Sequence, residues 1–166
     1  MKQIKKTILT LVALLAVTTG AWADDLYLVV NGTSATVMYG DKGSNPYYGP
    51  NAYNNYKWLV AGESYSGYSS LTTVTIDASC QNFTGTTLEY FFCSWNALTT
   101  INNLENLNMS EVTNMSVMFT ACRSMTSFDL SGLNTAKVTK MYQMFSSVPV
   151  ETLDLSSFNT ANVTDM

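Results

Sequence analysis

The chain has 166 residues, 46% of them hydrophobic and 12% charged, no histidine and a formal net charge of −4. Lys2, Lys5 and Lys6 lie at the very start, so beyond residue 23 five basic side chains stand against all twelve acidic ones, a net of −7. That balance excludes a basic footprint for nucleic acid or an anionic membrane surface. The missing imidazole excludes Ser-His-Asp and Cys-His catalysis and the HExxH zinc site, while the apolar content argues against disorder and for a single core.

Residues 1–23 have the three parts of a secretory signal: the lysines, the ten-residue apolar run Ile8–Val17, and Ala21-Trp22-Ala23 as an A-x-A cleavage site before Asp24. A membrane anchor needs about 20 apolar residues, and no other stretch qualifies. Export is predicted, with a mature chain that begins at Asp24 and carries no membrane span.

Residues 24–69 read as a β-rich leader. Leu26–Val30 and Ala35–Tyr39 flank Asn31-Gly32, a hairpin signal with its loop over Asn31–Ser34. The stretch Asp41–Pro50, rich in Gly, Asn, Pro and Tyr, reads as loop. Tyr39, Tyr47, Tyr48, Tyr53, Tyr56, Tyr65, Tyr68 and Trp58 crowd into this segment. Two roles stay open for them: a cap over the first coil of a solenoid, or an aromatic platform for sugars or protein.

From residue 70 onward the chain repeats itself. Val112-Thr113-Asn114-Met115-Ser116-Val117-Met118-Phe119 recurs as Val138-Thr139-Lys140-Met141-Tyr142-Gln143-Met144-Phe145 and starts again at Val163-Thr164-Asp165-Met166. Between copies, Phe128-Asp129-Leu130-Ser131 matches Leu153-Asp154-Leu155-Ser156. Leu88–Phe92 and Leu71–Val74 extend the pattern backwards, with a period of 25 to 27 residues. The alternation in Ser127–Ser131 predicts a short strand. The spacing of Val112, Met115, Met118, Phe119 and Cys122 predicts one apolar face of a short helix, with Ser110 or Thr113 as its cap. Stacked coils of this kind form a parallel sheet on one side and helical turns on the other. Fold class is therefore expected to be α/β: a leucine-rich-repeat-type solenoid of parallel strands and short helices over 70–166, behind the small β-rich cap.

Three cysteines make no disulfide framework. Cys122 and Cys80 fall at apolar repeat positions and read as core fillers; Cys93 can be filler or a reactive thiol. Met115, Met118, Met141 and Met144 are soft enough for Cu(I). Leu88 and Phe91 at equivalent positions make them core instead, so no metal or cofactor is expected.

These motifs resemble the BspA-like leucine-rich-repeat surface proteins of bacteria, the DUF285 repeat. The family pattern runs approximately V-T-x-M-x-x-M-F, a small-residue turn with cysteine, then L-x-x-L-D-L-S-x-F-N-T. Val112–Thr135 fits it nearly throughout and Leu153–Met166 fits its second half. Ser146–Val150 departs from the cysteine turn, and the sequence stops inside a repeat. The resemblance implies a secreted or cell-surface bacterial protein that adheres to host matrix proteins or other bacterial surface proteins, and it brings no catalytic residues.

The expected contact surface is the polar face of the repeat sheet: Thr73, Thr75, Thr100, Asn102, Ser127, Asp129, Ser131, Thr152, Asp154 and Ser156. The competing expectation is a glycan-binding module that uses the aromatic leader. An enzyme would need paired carboxyls in a cleft, and the reading is non-catalytic. Self-association through an uncapped C-terminal repeat is a further expectation, because each coil buries its apolar side against the next.

Overall fold

The computed structural model describes residues 25–40, 47–50, 58–60, 63–64 and 67–166, with side chains from 26–40 and 69–166. The signal segment, and the Tyr-rich cluster apart from Tyr39, lie outside the described side chains. Among the described residues, seven strands form one mixed sheet: β1 (Asp25–Asn31), β2 (Ser34–Gly40), β3 (Tyr47–Pro50), β4 (Trp58–Val60), β5 (Glu63–Ser64), β6 (Thr73–Ile76) and β7 (Thr100–Asn102). Their order is β5-β4-β3-β1-β2-β6-β7.

β1 and β2 make the hairpin that alternating Leu26, Leu28, Ala35 and Val37 dictate, all four buried. Pairing continues to Asn31 and Ser34, so the turn is Gly32-Thr33 rather than the four-residue loop expected. Gly32 has φ +62°, a conformation that a side chain disfavours, which is why the turn closes in two residues. β2 then runs parallel to β6, from Ser34 opposite Thr73 to Val37 opposite Ile76. β6 in turn pairs parallel with β7, with Thr73 opposite Thr100 and Thr75 opposite Asn102.

The described helices are single 3-10 turns at Gly67–Ser70, Ala78–Asn82 and Leu104–Asn106. The helix expected over Val112–Cys122 does not form. Its apolar face is correct, since Val112, Met115, Met118, Phe119 and Cys122 are all fully buried. Its backbone is a run of consecutive turns in which alternate N–H groups go in two directions. Met118, Thr120 and Cys122 donate to the carbonyls three residues back, at Met115, Val117 and Phe119. Met115, Val117, Phe119 and Ala121 donate across to Lys140, Tyr142, Met144 and Ser146 of the next copy, at 2.8 to 3.0 Å. The preceding copy does the same, with Leu88, Tyr90, Phe92 and Ser94 donating to Asn114, Ser116, Met118 and Thr120. Left-handed residues recur four apart, at Tyr90 and Ser94, Val117 and Ala121, Gln143 and Ser147. An α-helix would close all these N–H groups within itself, whereas here half of them tie successive copies together.

Threonine completes this ladder. Thr113 donates both its N–H (2.8 Å) and its hydroxyl (3.2 Å) to the carbonyl of Thr86, so it does not cap a helix. Thr139 treats Thr113 alike, and Thr164 treats Thr139 alike. Parallel bridges at Thr87–Asn114, Asn114–Lys140 and Lys140–Asp165 mark the same line.

The core runs the length of the repeats. Phe92, Phe119 and Phe145 stack at 5.5 and 5.6 Å with nearly parallel rings, and Phe128 meets Phe119 edge-on at 5.1 Å. Cys80, Cys93 and Cys122 are free and buried, which settles Cys93 as an enclosed thiol.

Candidate functional site

The expected polar face divides into two parts. Thr73 and Thr75 on β6 are half-buried, and Thr100 and Asn102 on β7 are exposed beside them. Asn102 Nδ2 donates to Thr75 Oγ1 at 3.3 Å, so these side chains support one another across the parallel pair. Ser127, Asp129, Ser131, Thr152, Asp154 and Ser156 are exposed too, but they are not on strands. The alternation is as expected in 127–131, with Leu130 buried and Phe128 half-buried, whereas in 152–156 Leu153 is half-buried and Leu155 exposed. The strand pairing is not: no backbone hydrogen bond joins 99–103 to 126–131, or 126–131 to 151–156. The sheet stops at β7.

Local hydrogen bonding accounts for this. Asp129 Oδ1 accepts from the Ser131 N–H at 3.1 Å and the Ser131 hydroxyl at 2.6 Å. Asp154 Oδ1 accepts from the Ser156 N–H at 2.9 Å. Such turns offer the backbone an alternative to a sheet ladder. The same device recurs at Asp77–Ser79, Asn108–Ser110, Asn134–Ala136 and Asn159–Ala161. The aspartates therefore shape the loop first. The Ser131 hydroxyl, with its N–H, holds the Asp129 carboxyl below its ordinary range, and Ser156 does the same for Asp154.

Two grooves open where the sheet stops. One, of 310 Å³, lies between Ile101, Asn103 and Glu105 on one wall and Asp129, Ser131 and Gly132 on the other. The second, of 250 Å³, has Thr100 and Ile101 opposite Ser127, Phe128 and Asp129. They share Ile101, Leu104 and Asp129. At one end the walls touch: a Cβ on Gly132 would sit 2.8 Å from the Glu105 Cα. The structure thus gathers Thr100, Ser127, Asp129 and Ser131 of the expected face around one depression, and leaves Thr152, Asp154 and Ser156 outside its lining. Sequence reasoning missed Ile101, Asn103 and Glu105. Leu104-Glu105-Asn106 aligns with Leu130-Ser131-Gly132 one repeat later, but the approach of Glu105 to Gly132 exists only once the copies stack.

A third depression, of 230 Å³ and almost wholly apolar, lies at the last copy among Met141, Met144, Phe145, Leu155, Phe158 and Met166.

No curated protein matches this chain, and no solved structure matches it. Residues 86–166, just under half of the chain, match the family model described as "Mycoplasma protein of unknown function, DUF285".

Proposed function

We propose that this chain is an exported, non-catalytic interaction module of the BspA-like kind, a leucine-rich-repeat-type solenoid that binds host matrix or bacterial surface proteins. Its ladder of repeat-to-repeat hydrogen bonds and its continuous core support the solenoid reading. The hairpin of β1 and β2, whose buried residues join that core, is read as its cap. One observation carries the binding reading: Thr100, Ser127, Asp129 and Ser131 are exposed hydroxyl and carboxylate groups set around a depression, and none of them is needed to fill the core. Thr100 and Ser127 can be exchanged without disturbing the fold, which suits a recognition surface, whereas Asp129 and Ser131 also hold their own turn.

The test is a biosensor panel of purified host matrix proteins against the full chain and a Thr100→Val/Ser127→Ala variant. Binding by the parent that the variant loses, with thermal unfolding unchanged, supports the reading. Equal binding by both moves the contact elsewhere, and inhibition by free sugars alone turns the protein into a glycan binder.

A further inference from the structure

We propose that the open edge of β7 takes an extended, lysine- or arginine-bearing peptide segment of a partner protein as an added strand. The proposal deepens the protein-binding reading above and rests on it. In a parallel pair, successive residues turn their backbone groups to opposite edges. Thr100 donates its N–H to the Thr72 carbonyl at 3.2 Å, on the β6 side. The N–H and C=O of Ile101 therefore point away from β6, into the two grooves that Ile101 lines. The following copy does not take them up, since residues 126–131 make no backbone hydrogen bond to 99–103. An unpaired strand edge is a template for another chain.

The depression lies along this edge, since Ile101 lines both of its grooves. Its larger groove, at 310 Å³, reaches the lower end of the range for ligand sites, about 300 Å³. The Gly132–Glu105 contact closes one end, so the segment enters beside Thr100 and Ser127. The side chains select its chemistry. The charged groups lining the depression are both acidic, Glu105 on one wall and Asp129 on the other. In an added strand, alternate side chains point outward, where a Lys or Arg meets these carboxylates. Ile101 and Phe128, both half-buried, offer an apolar patch to the residue between.

The probe is the synthetic peptide Thr-Lys-Val-Lys-Val-Thr, added at up to millimolar concentration to the ¹⁵N-labelled full chain. Its counterparts carry Glu in place of Lys, or an N-methyl group on the central valine. Saturable shifts of the Ile101 and Asn103 amides with the lysine peptide are expected. Either counterpart should bind at least about tenfold more weakly, as loss of one hydrogen bond or charge pair implies. So should the lysine peptide with a Glu105→Gln/Asp129→Asn variant; both positions are exposed, and Asn keeps the acceptor that shapes the 129–131 turn. An Ile101 amide that does not move, or counterparts that bind as well as the lysine peptide, overturns the proposal. So does a shift of the same amides by free sugars alone. If matrix-protein binding depends on the polar face while Ile101 stays still, the added strand is wrong and the surface reading stands. If the peptide shifts Ile101 while no matrix protein binds, the strand site stands and the broader reading falls.

Discussion

Left-handed backbone is where single residues matter most in this fold. Ser147 is exposed with φ +59°. An L side chain pays about 1–2 kcal/mol there, more than the 0.5–1 kcal/mol of chain entropy that glycine adds. Ser147→Gly should therefore raise stability by about 0.5 kcal/mol in urea denaturation. Gly132 behaves oppositely: its absent Cβ makes space for backbone, with the Glu105 N at 2.9 Å and Cα at 2.8 Å. Gly132→Ala should destabilise by about 1–3 kcal/mol, the usual cost of overpacking. The thiols set a pH dependence. Burial pushes Cys122 up to about 12 and Cys80 up to about 11, from 9.0. The unfolded chain loses these protons first, so their contribution is complete below pH 9 and is lost as pH rises toward 12. Stability should fall steadily with pH above 9, and Cys122→Ser should flatten that slope. Native Cys122 should also resist a thiol reagent until denaturant is added, because the thiolate is the reacting form.

Among the elements, the phenylalanine stack and the turn ladder work together. The copies around Phe92 and Phe119 each hand alternate N–H groups to the next copy and stack their phenylalanine on the next one, while the copy that ends in Phe145 hands on the Met141 N–H, to Asp165. Phe119 stands in the middle, fully buried, with Phe92 and Phe145 on its two faces. Phe145 is half-buried at the end of the stack. Phe119→Ala should cost about 3–5 kcal/mol, and Phe145→Ala distinctly less. A reversed ranking in chemical denaturation would mean that the repeat register is misassigned. The threonines should show in hydrogen exchange. Thr113→Val keeps the shape and the N–H but removes the hydroxyl bond to Thr86. It should speed exchange at Thr113 and Asn114, whose N–H groups share that carbonyl, while distant amides such as those of β1 stay as they were.

At the scale of the molecule, burial falls along the chain. Residues near Phe92 and Trp95 are fully enclosed, whereas in the last copy Leu155 is 42% and Met166 75% exposed. The apolar depression between Met141, Phe145, Leu155 and Phe158 lies at this end. As an isolated chain starting at Asp24, the protein should self-associate through this exposed apolar surface or fray from about residue 150 onward. Appending one further repeat should reduce both. A clean monomer in light scattering, with the amide of Met141 as slow to exchange as that of Met115, would show that this end is closed as it stands.

Much of this fold could be read before any coordinates. The hairpin, the repeat period, the inward set Val112, Met115, Met118, Phe119 and Cys122, and the outward set Ser127, Asp129 and Ser131 all follow from apolar spacing, because burial depends on which side chains leave water. Spacing does not say where the backbone hydrogen bonds go. The same buried set fits a helix, whose bonds are internal, and a turn ladder, whose bonds run to a neighbouring copy. Stacking of the copies decided between them. It also decided that β7 would keep an open edge, and that Glu105 and Asp129 would face one depression. Those outcomes depend on contacts between residues some 25 positions apart, which a local pattern does not contain and which three-dimensional packing creates.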